Sequence, residues 1–291
     1  MNLAQMEEAQ RANVHPIVLA ALTLFNGFRV EAMTPAQWEQ VLLLLYSVVE
    51  DASIRSAEIA RDFFDAERER IFPGLPRHDV DLATLSLPML RKYLEPYRTA
   101  MMLPGTHPHE VNRLAMEVGQ AVENSGRWTI MRAAESEDPS VRFVDSDEFI
   151  VEYTSREEQA KKRAARAKPG AVQGWARVAT GRETCGWCLM LVSRGPVYRA
   201  PQSAGARSEM EFENPSSDGY SVEEHMNAWH PGCDCKIVPV FNLDDWSGKD
   251  RYTAAENMWK AETKGYSGRD AVNAFRRAAE AGKYEEYLAD L

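Results

Sequence analysis

All four cysteines of the chain fall in one stretch, as Cys185-Gly-Trp-Cys188 and then His230-Pro-Gly-Cys233-Asp-Cys235. A tetrahedral zinc needs four soft or borderline donors about 2.0 to 2.3 Å from the ion, and a C-x-x-C turn presents two thiolates to one metal. The second half adds three more donors. Five donors for four positions leave two sets: Cys185, Cys188, Cys233 and Cys235, or three thiolates with His230. The residue types do not choose between them. The gap across residues 189–229 is longer than in compact zinc fingers, and C-x-C is a less usual ligand spacing than C-x-x-C. A structural zinc is the expectation, with packed thiols or disulfides as the bland alternative. Either arrangement staples two distant segments, which a small, loop-rich domain needs.

Two catalytic readings use the same residues. Cys185-Gly-Trp-Cys188 has the form of a dithiol redox motif, which requires a strand before it and a helix dipole at its first cysteine. A cysteine nucleophile with His225 or His230 as base would make a thiol protease. No pair of carboxylates can be placed beside the thiols, so general acid and base work by Asp or Glu has no support. His107 and His109 flank a proline without thiol or carboxylate company, and read as surface residues.

Most of the elements that position this motif are helical. Thr34-Pro35 starts a helix with a capping hydroxyl and a proline at the first position, and residues 37–72 follow without Pro or Gly. Trp38, Val41, Leu42, Leu45, Val48, Val49 and Ala52 recur at three- and four-residue steps and form one apolar stripe. The more charged later part of this helix projects from the core or lies against another helix with a solvated face. Pro73-Gly74-Leu75-Pro76 ends it. Two further helices are expected at 87–101 and 110–134. Residues 141–153 read as irregular or strand-like. Arg156, Lys161, Lys162, Arg163, Arg166 and Lys168 outweigh Glu157 and Glu158 in a basic segment that reads first as a solvated helix face. From Trp175 the texture becomes β-prone, in WARVAT, PVYRA and KIVPVF, with a Ser-, Gly- and Pro-rich excursion at 201–220. Trp175, Trp187, Tyr198 and Trp229 read as packing around the motif. Residues 250–291 return to helix, with Ala254, Met258, Trp259, Val272, Phe275 and Ala279 as packing positions.

The fold class expected is therefore α+β. Residues 1–150 form a helical domain with long amphipathic helices, 151–170 a basic junction, 171–245 a small Cys/His-stapled mixed α/β domain, and 246–291 a helical tail. A length of 291 residues suits about two domains. The net charge of −10 argues against wrapping nucleic acid over the whole surface, because phosphate neutralisation needs clustered Lys and Arg. The N-terminus lacks the basic flank and apolar run of a secretory signal, and no apolar run approaches the roughly 20 residues of a membrane span. An intracellular protein with no membrane partner is expected, and in a reducing cytoplasm its thiols need metal or redox chemistry to do more than pack.

The run RVATGRETCGWCLMLVSRGPVY followed by HPGCDCKIVPVF resembles the signature of the Mu F-type minor head proteins of tailed phages. The positions that carry it are Cys185, Cys188, Gly195, His230, Pro231, Cys233, Cys235 and Pro239. Trp187, Arg194 and Pro196 to Tyr198 bring it closest to the actinobacterial-phage version. The resemblance covers residues 170–241. It implies a minor capsid protein acting in head morphogenesis or early DNA delivery, made in the host cytoplasm and carried in few copies inside the virion. Its implied partners are the portal and the major capsid or scaffold proteins, with packaged DNA contacted through residues 156–168. Relatives often carry a basic residue where Asp234 stands, which weakens any phosphate contact there. The enzymatic alternative is a capsid maturation protease using Cys185, Cys188 and His230.

Overall fold

A computed structural model describes residues 1–28, 30–77, 79–137, 169–180, 184–201, 204 and 235–291. Within them lie eight helices and a two-stranded antiparallel ribbon, the mostly helical α+β class expected. The order is α1 (Leu3–Asn26), α2 (Pro35–Ile71), α3 (Leu87–Met101), α4 (Pro108–Glu137), β1 (Gly174–Val178), α5 (Gly186–Val192), β2 (Lys236–Val240), α6 (Lys249–Glu262), α7 (Gly268–Glu280) and α8 (Lys283–Ala289).

Helix α2 begins where its cap predicts. Gln37 donates its backbone N–H to Thr34 Oγ1 at 3.2 Å, and Thr34 donates its own to Gln37 Oε1 at 2.8 Å, a reciprocal capping box. Trp38, Val41, Leu42, Leu45, Val49 and Ala52 are buried as the stripe requires. Val48 departs from it: the residue stands at the stripe's edge and is 41% exposed, beside the exposed Leu44. The later part of α2 lies against other elements rather than projecting, with Ala57, Ala60, Phe63 and Phe64 all buried.

Small residues and matched polar pairs fit α1 into the angle between α2 and α4. Gln10 Nε2 donates to the Ser56 carbonyl, and Ser56 Oγ donates back to Gln10 Oε1, both at 2.9 Å. These bonds satisfy polar groups that would be costly to bury alone. On α4, a Cβ added at Gly126 would stand 2.8 Å from that same Ser56 carbonyl, and one at Gly119 would stand 2.7 Å from Val18 Cγ2. Glycine lets the three backbones approach.

The ribbon pairs Gly174 with Val240 through Val178 with Lys236. Its residues Trp175, Ala176, Val178, Ile237, Val238 and Val240 share one continuous core with α1 to α4. Phe241, just past β2, meets Phe64 of α2 edge-on with ring centroids 5.3 Å apart. Lys236 Nζ lies 2.6 Å from Glu123 of α4. WARVAT and KIVPVF thus supply the two strands. PVYRA does not form a third: Tyr198 makes a single bridge to Trp175, because Gly195 turns at φ 63° and Pro196 follows it. That bridge takes the Trp175 N–H onto the Tyr198 carbonyl at 2.8 Å, so Pro239, paired opposite Trp175 with no N–H of its own, is tolerated in β2.

A second core gathers α5 and the tail, through Leu189, Leu191, Val192, Ala254, Ala255, Met258, Phe275, Ala278 and Tyr284. Trp259, Val272 and Ala279 pack against it, as the tail's spacing predicts. The regions 141–153 and 156–168, and almost all of 201–220, lie outside the described residues.

Candidate functional site

The antiparallel register decides where the cysteines go. Val178 at the end of β1 pairs with Lys236 at the start of β2, so Cys235 stands at the end of the ribbon from which the chain leaves for Cys185. The two halves of the motif therefore enter from one end of the same ribbon. Cys185 is the exposed N-cap of α5, in extended backbone, and its Sγ accepts the Cys188 N–H at 3.3 Å. Cys188 is buried one turn into α5, and Cys235 is fully buried.

Arg177, which the sequence reading did not single out, lies beside Cys235. It projects from β1, is 1% exposed, and its guanidinium reaches acceptors that include two among the described residues. Nε donates to the Ala204 carbonyl at 2.6 Å and Nη1 donates to Cys235 Sγ at 3.8 Å. An arginine in a β-prone run ordinarily reads as the solvent-facing position. Here all five residues of β1 are buried, which no alternation in Gly174-Trp-Ala-Arg-Val178 announces.

Charged residues fix the ribbon's end from outside. Arg251 of α6 donates to the Ala179 carbonyl, one residue past β1, and its Nη1 lies 2.6 Å from Glu7 Oε1 of α1. Burial raises the Glu7 pKa above its ordinary value, opposed by the hydrogen bond and charge of Arg251 and by the charges of Lys236 and Arg11. Lys236, next to Cys235, is held by Glu123. Glycines close the remaining distances. A Cβ at Gly248 would stand 2.6 Å from Val178 Cγ2, one at Gly195 would stand 2.7 Å from the Tyr252 ring, and one at Gly186 would stand 3.2 Å from Arg276 Cα.

Thiols are the soft donors a zinc takes, and three of the four, Cys185, Cys188 and Cys235, are described. The Cys185 and Cys235 sulfurs each accept a hydrogen bond, from the Cys188 N–H and from Arg177. Among the described residues no group of three or more His, Cys, Asp or Glu is gathered closely enough to hold a metal ion. Both ligand sets read from the sequence draw on His230 or Cys233, and these two residues lie outside the described ones. His225 and Trp229 lie outside them as well. The strand and helix that a dithiol motif calls for do flank Cys185, though α5 spans only seven residues. That reading leaves the Arg177 contact to Cys235 unused. Trp175 and Tyr198 are buried, and Trp187 packs partly buried on the second core, as packing residues do. His107 and His109 are exposed, and His109 donates its backbone N–H to His107 Nδ1 at 3.1 Å.

Fold and site define a mostly helical α+β protein that carries a cysteine-bearing ribbon at the meeting point of two cores. A family model described as VG15 protein matches residues 149–261, a span that contains the whole Cys/His motif. The chain is 30% identical to the gene 15 protein of Mycobacterium phage D29 over 276 residues, 87% of this chain and 90% of that one. It is 30% identical over 273 residues to the gene 15 protein of Mycobacterium phage L5, covering 88% of this chain and 82% of that one. No solved structure matches it. The chain belongs to this gene 15 family of phage proteins. Among the described residues, no helix is long and apolar enough to cross a membrane.

Proposed function

We propose that this phage protein is a minor capsid protein of the Mu F type, acting in head morphogenesis in few copies bound near the portal or the inner capsid shell. The observation that carries the reading is the ribbon register, in which Cys235 directly precedes β2 beside the end of β1, the strand that leads on in sequence to Cys185-Gly-Trp-Cys188. It gives the Mu F-like motif of residues 170–241 a physical purpose, to join segments far apart in the chain. Membership of a phage family whose matched region spans that motif supports it. In this reading the exposed faces of the long helices dock on portal, major capsid or scaffold proteins, and packaged DNA meets the basic strip at 156–168.

The motif binds one structural zinc through four of Cys185, Cys188, His230, Cys233 and Cys235. A zinc there would supply a cross-link between the start of α5 and the start of β2, with no part in bond making or breaking. Metal binding contributes on the order of 10 kcal/mol in small zinc domains, so its removal should unfold the segments it joins.

The test has two arms. Quantitative mass spectrometry of purified heads and precursor particles should find the protein at a few copies per head, and its absence from both would refute the assignment. Elemental analysis of the purified protein should find one zinc per chain, with a melting transition lost on chelation. The serine variants of Cys185, Cys188 and Cys235 separate the structural reading from the protease one. A structural motif loses folding or incorporation first. A maturation protease keeps a folded, incorporated protein and loses capsid-protein cleavage.

A further inference from the structure

Helix α7 is strongly two-sided. Ala271, Ala274, Phe275 and Ala278 recur at three- and four-residue steps and are buried, so the second core holds the helix by its inner face. Residues 263–279, which span most of it and the turn before it, hold four cations, Lys264, Arg269, Arg276 and Arg277, and one acid, Asp270, in a chain whose net charge is −10. All four cations are exposed. Arginines of the helical bundle are matched to acids: Arg61, Arg70, Arg91 and Arg127 each lie within 3.2 Å of a carboxylate. On α7 Arg276 has Glu280 at 3.6 Å, with both side chains open to water, a contact worth little. Lys264, Arg269 and Arg277 have no carboxylate in ion-pair reach among the described residues.

The neighbouring groups suit a phosphate backbone. Tyr266 is 54% exposed and stands between Gly265 and Gly268, whose left-handed backbone (φ 86° and 52°) turns the chain from α6 into α7. A Cβ at either glycine would meet nothing within 4 Å, so the turn is open to a partner. Asn273 lies one turn after Arg269, and Arg276 and Arg277 one turn after that. Lys, Arg, Tyr and Asn are side chains that hold DNA by its phosphates and sugars. An acidic protein surface offers scattered carboxylates, whereas a duplex offers a continuous row of charge. Two helical turns rise about 10 Å and a strand carries one phosphate per ~3.4 Å of axis, so the row from Arg269 to Arg276, laid along a strand, spans about three phosphates. We infer that the outer face of α7 and the turn at 263–268 form a phosphate-contacting surface for double-stranded DNA, bound without regard to sequence. That this DNA is the packaged genome rests on the head-protein reading above; the phosphate surface itself does not. The chain's acidity confines such binding to a patch of this kind and keeps it weak, about 10⁻⁴ to 10⁻⁶ M at physiological salt.

The experiment follows the fluorescence anisotropy of a short labelled duplex of random sequence as full-length protein is added, at a series of salt concentrations. Each phosphate contact contributes about 0.9 to the slope of log affinity against log salt. Arg269→Gln should lower that slope by about 1, and Lys264→Gln, Arg269→Gln and Arg277→Gln together by about 3, with the same loss on every duplex sequence. These side chains are exposed and make no ion pair, so the melting temperature should not move. Arg55→Gln is the matched control: this exposed α2 arginine also lacks an ion pair but stands one turn from Asp51 and Glu58, and its loss should leave the slope unchanged. A slope that the triple variant does not change would place the DNA contact elsewhere and overturn the inference. Equal affinity for polyglutamate would overturn it too, by making the partner an acidic protein, and so would the absence of any DNA binding. DNA binding by a protein missing from purified heads keeps the inference and removes the head reading, and presence in heads without DNA binding does the reverse.

Discussion

The two cores are built on different terms. The first buries Phe25, Trp38, Phe63, Phe64, Trp175 and Phe241 to 2% exposure or less, and it reaches from α1 across the bundle to the ribbon. The second is smaller and leans on Ala254, Ala255 and Ala278 around Phe275, with helices drawn as close as the Gly186 approach to Arg276 allows. A core of large side chains gains stability from the apolar area it removes from water, whereas one built on alanine gains less and depends on close packing. The cysteine motif lies where they meet. Cys185 and Cys188 ride on α5, an element of the second core, and Cys235 opens β2, an element of the first. The cross-link proposed for that place would reinforce the weaker partner with the stronger one.

The contrast can be broken most directly at Phe64. Truncation to alanine removes a fully buried ring that touches Phe241, and should cost about 3–5 kcal/mol. Because the ribbon shares this core, its amides should lose hydrogen-exchange protection together with those of α2. A ribbon that stays protected would divide the first core in two. Phe275→Ala removes the same group from the second core, where the ring packs 5.1 Å from Trp259. A loss of about 3 kcal/mol is expected, read as exchange in α6 to α8 while α1 to α4 stay protected. An equal loss of protection across the chain would show the cores to be one cooperative unit.

A smaller effect sharpens the first core. Gly126→Ala drives a methyl against the Ser56 backbone carbonyl and should cost about 1–3 kcal/mol in denaturant unfolding. Gly119→Ala meets the side-chain methyls of Val18 at 2.7 Å and Val14 at 3.1 Å rather than backbone, so its cost should be the lesser of the two. The smallest expected effect concerns the contact between cores. Burial raises the Glu7 pKa, so the stability this group contributes is complete below its ordinary value of 4.5 and is lost as pH rises through the higher folded value. Glu7→Gln should therefore be at least as stable as the parent near pH 7. The difference, parent minus variant, should decrease steadily as pH rises from 4.5, and the opposite slope would mean that the Arg251 ion pair outweighs burial.

Much of the fold is legible in local chemistry. The Thr34 and Gln37 cap, the apolar stripe of α2, the bounds of α3 and the strands WARV and KIVPV follow from residue type and period alone. Helix α1 is less so, since it accommodates Pro16 within the helix and lies against its neighbours through Gln10, Asn13 and small residues on α4. Val48 shows the limit of a stripe: its spacing fits, but the neighbours of α2 cover only part of that face. Tyr198 shows another, because β-propensity in PVYRA cannot overcome the turn at Gly195 and the missing N–H of Pro196.

At the motif, the sequence by itself determined which residues could do chemistry, because cysteines confined to 185–235 and the C-x-x-C and H-P-x-C-x-C spacings are facts of composition and order. It also determined the helical and strand-forming character of the segments around them. Only the tertiary structure decided that Cys235 directly precedes β2 beside the end of β1, that Arg177 is buried against its sulfur, and that Arg251, Glu7, Lys236 and Glu123 fix the same place from α1, α4 and α6. The physical reason is sequence separation. Propensity and periodicity act over a few residues, while pairing register and the burial of a charge are set by groups that meet only after the chain has closed on itself.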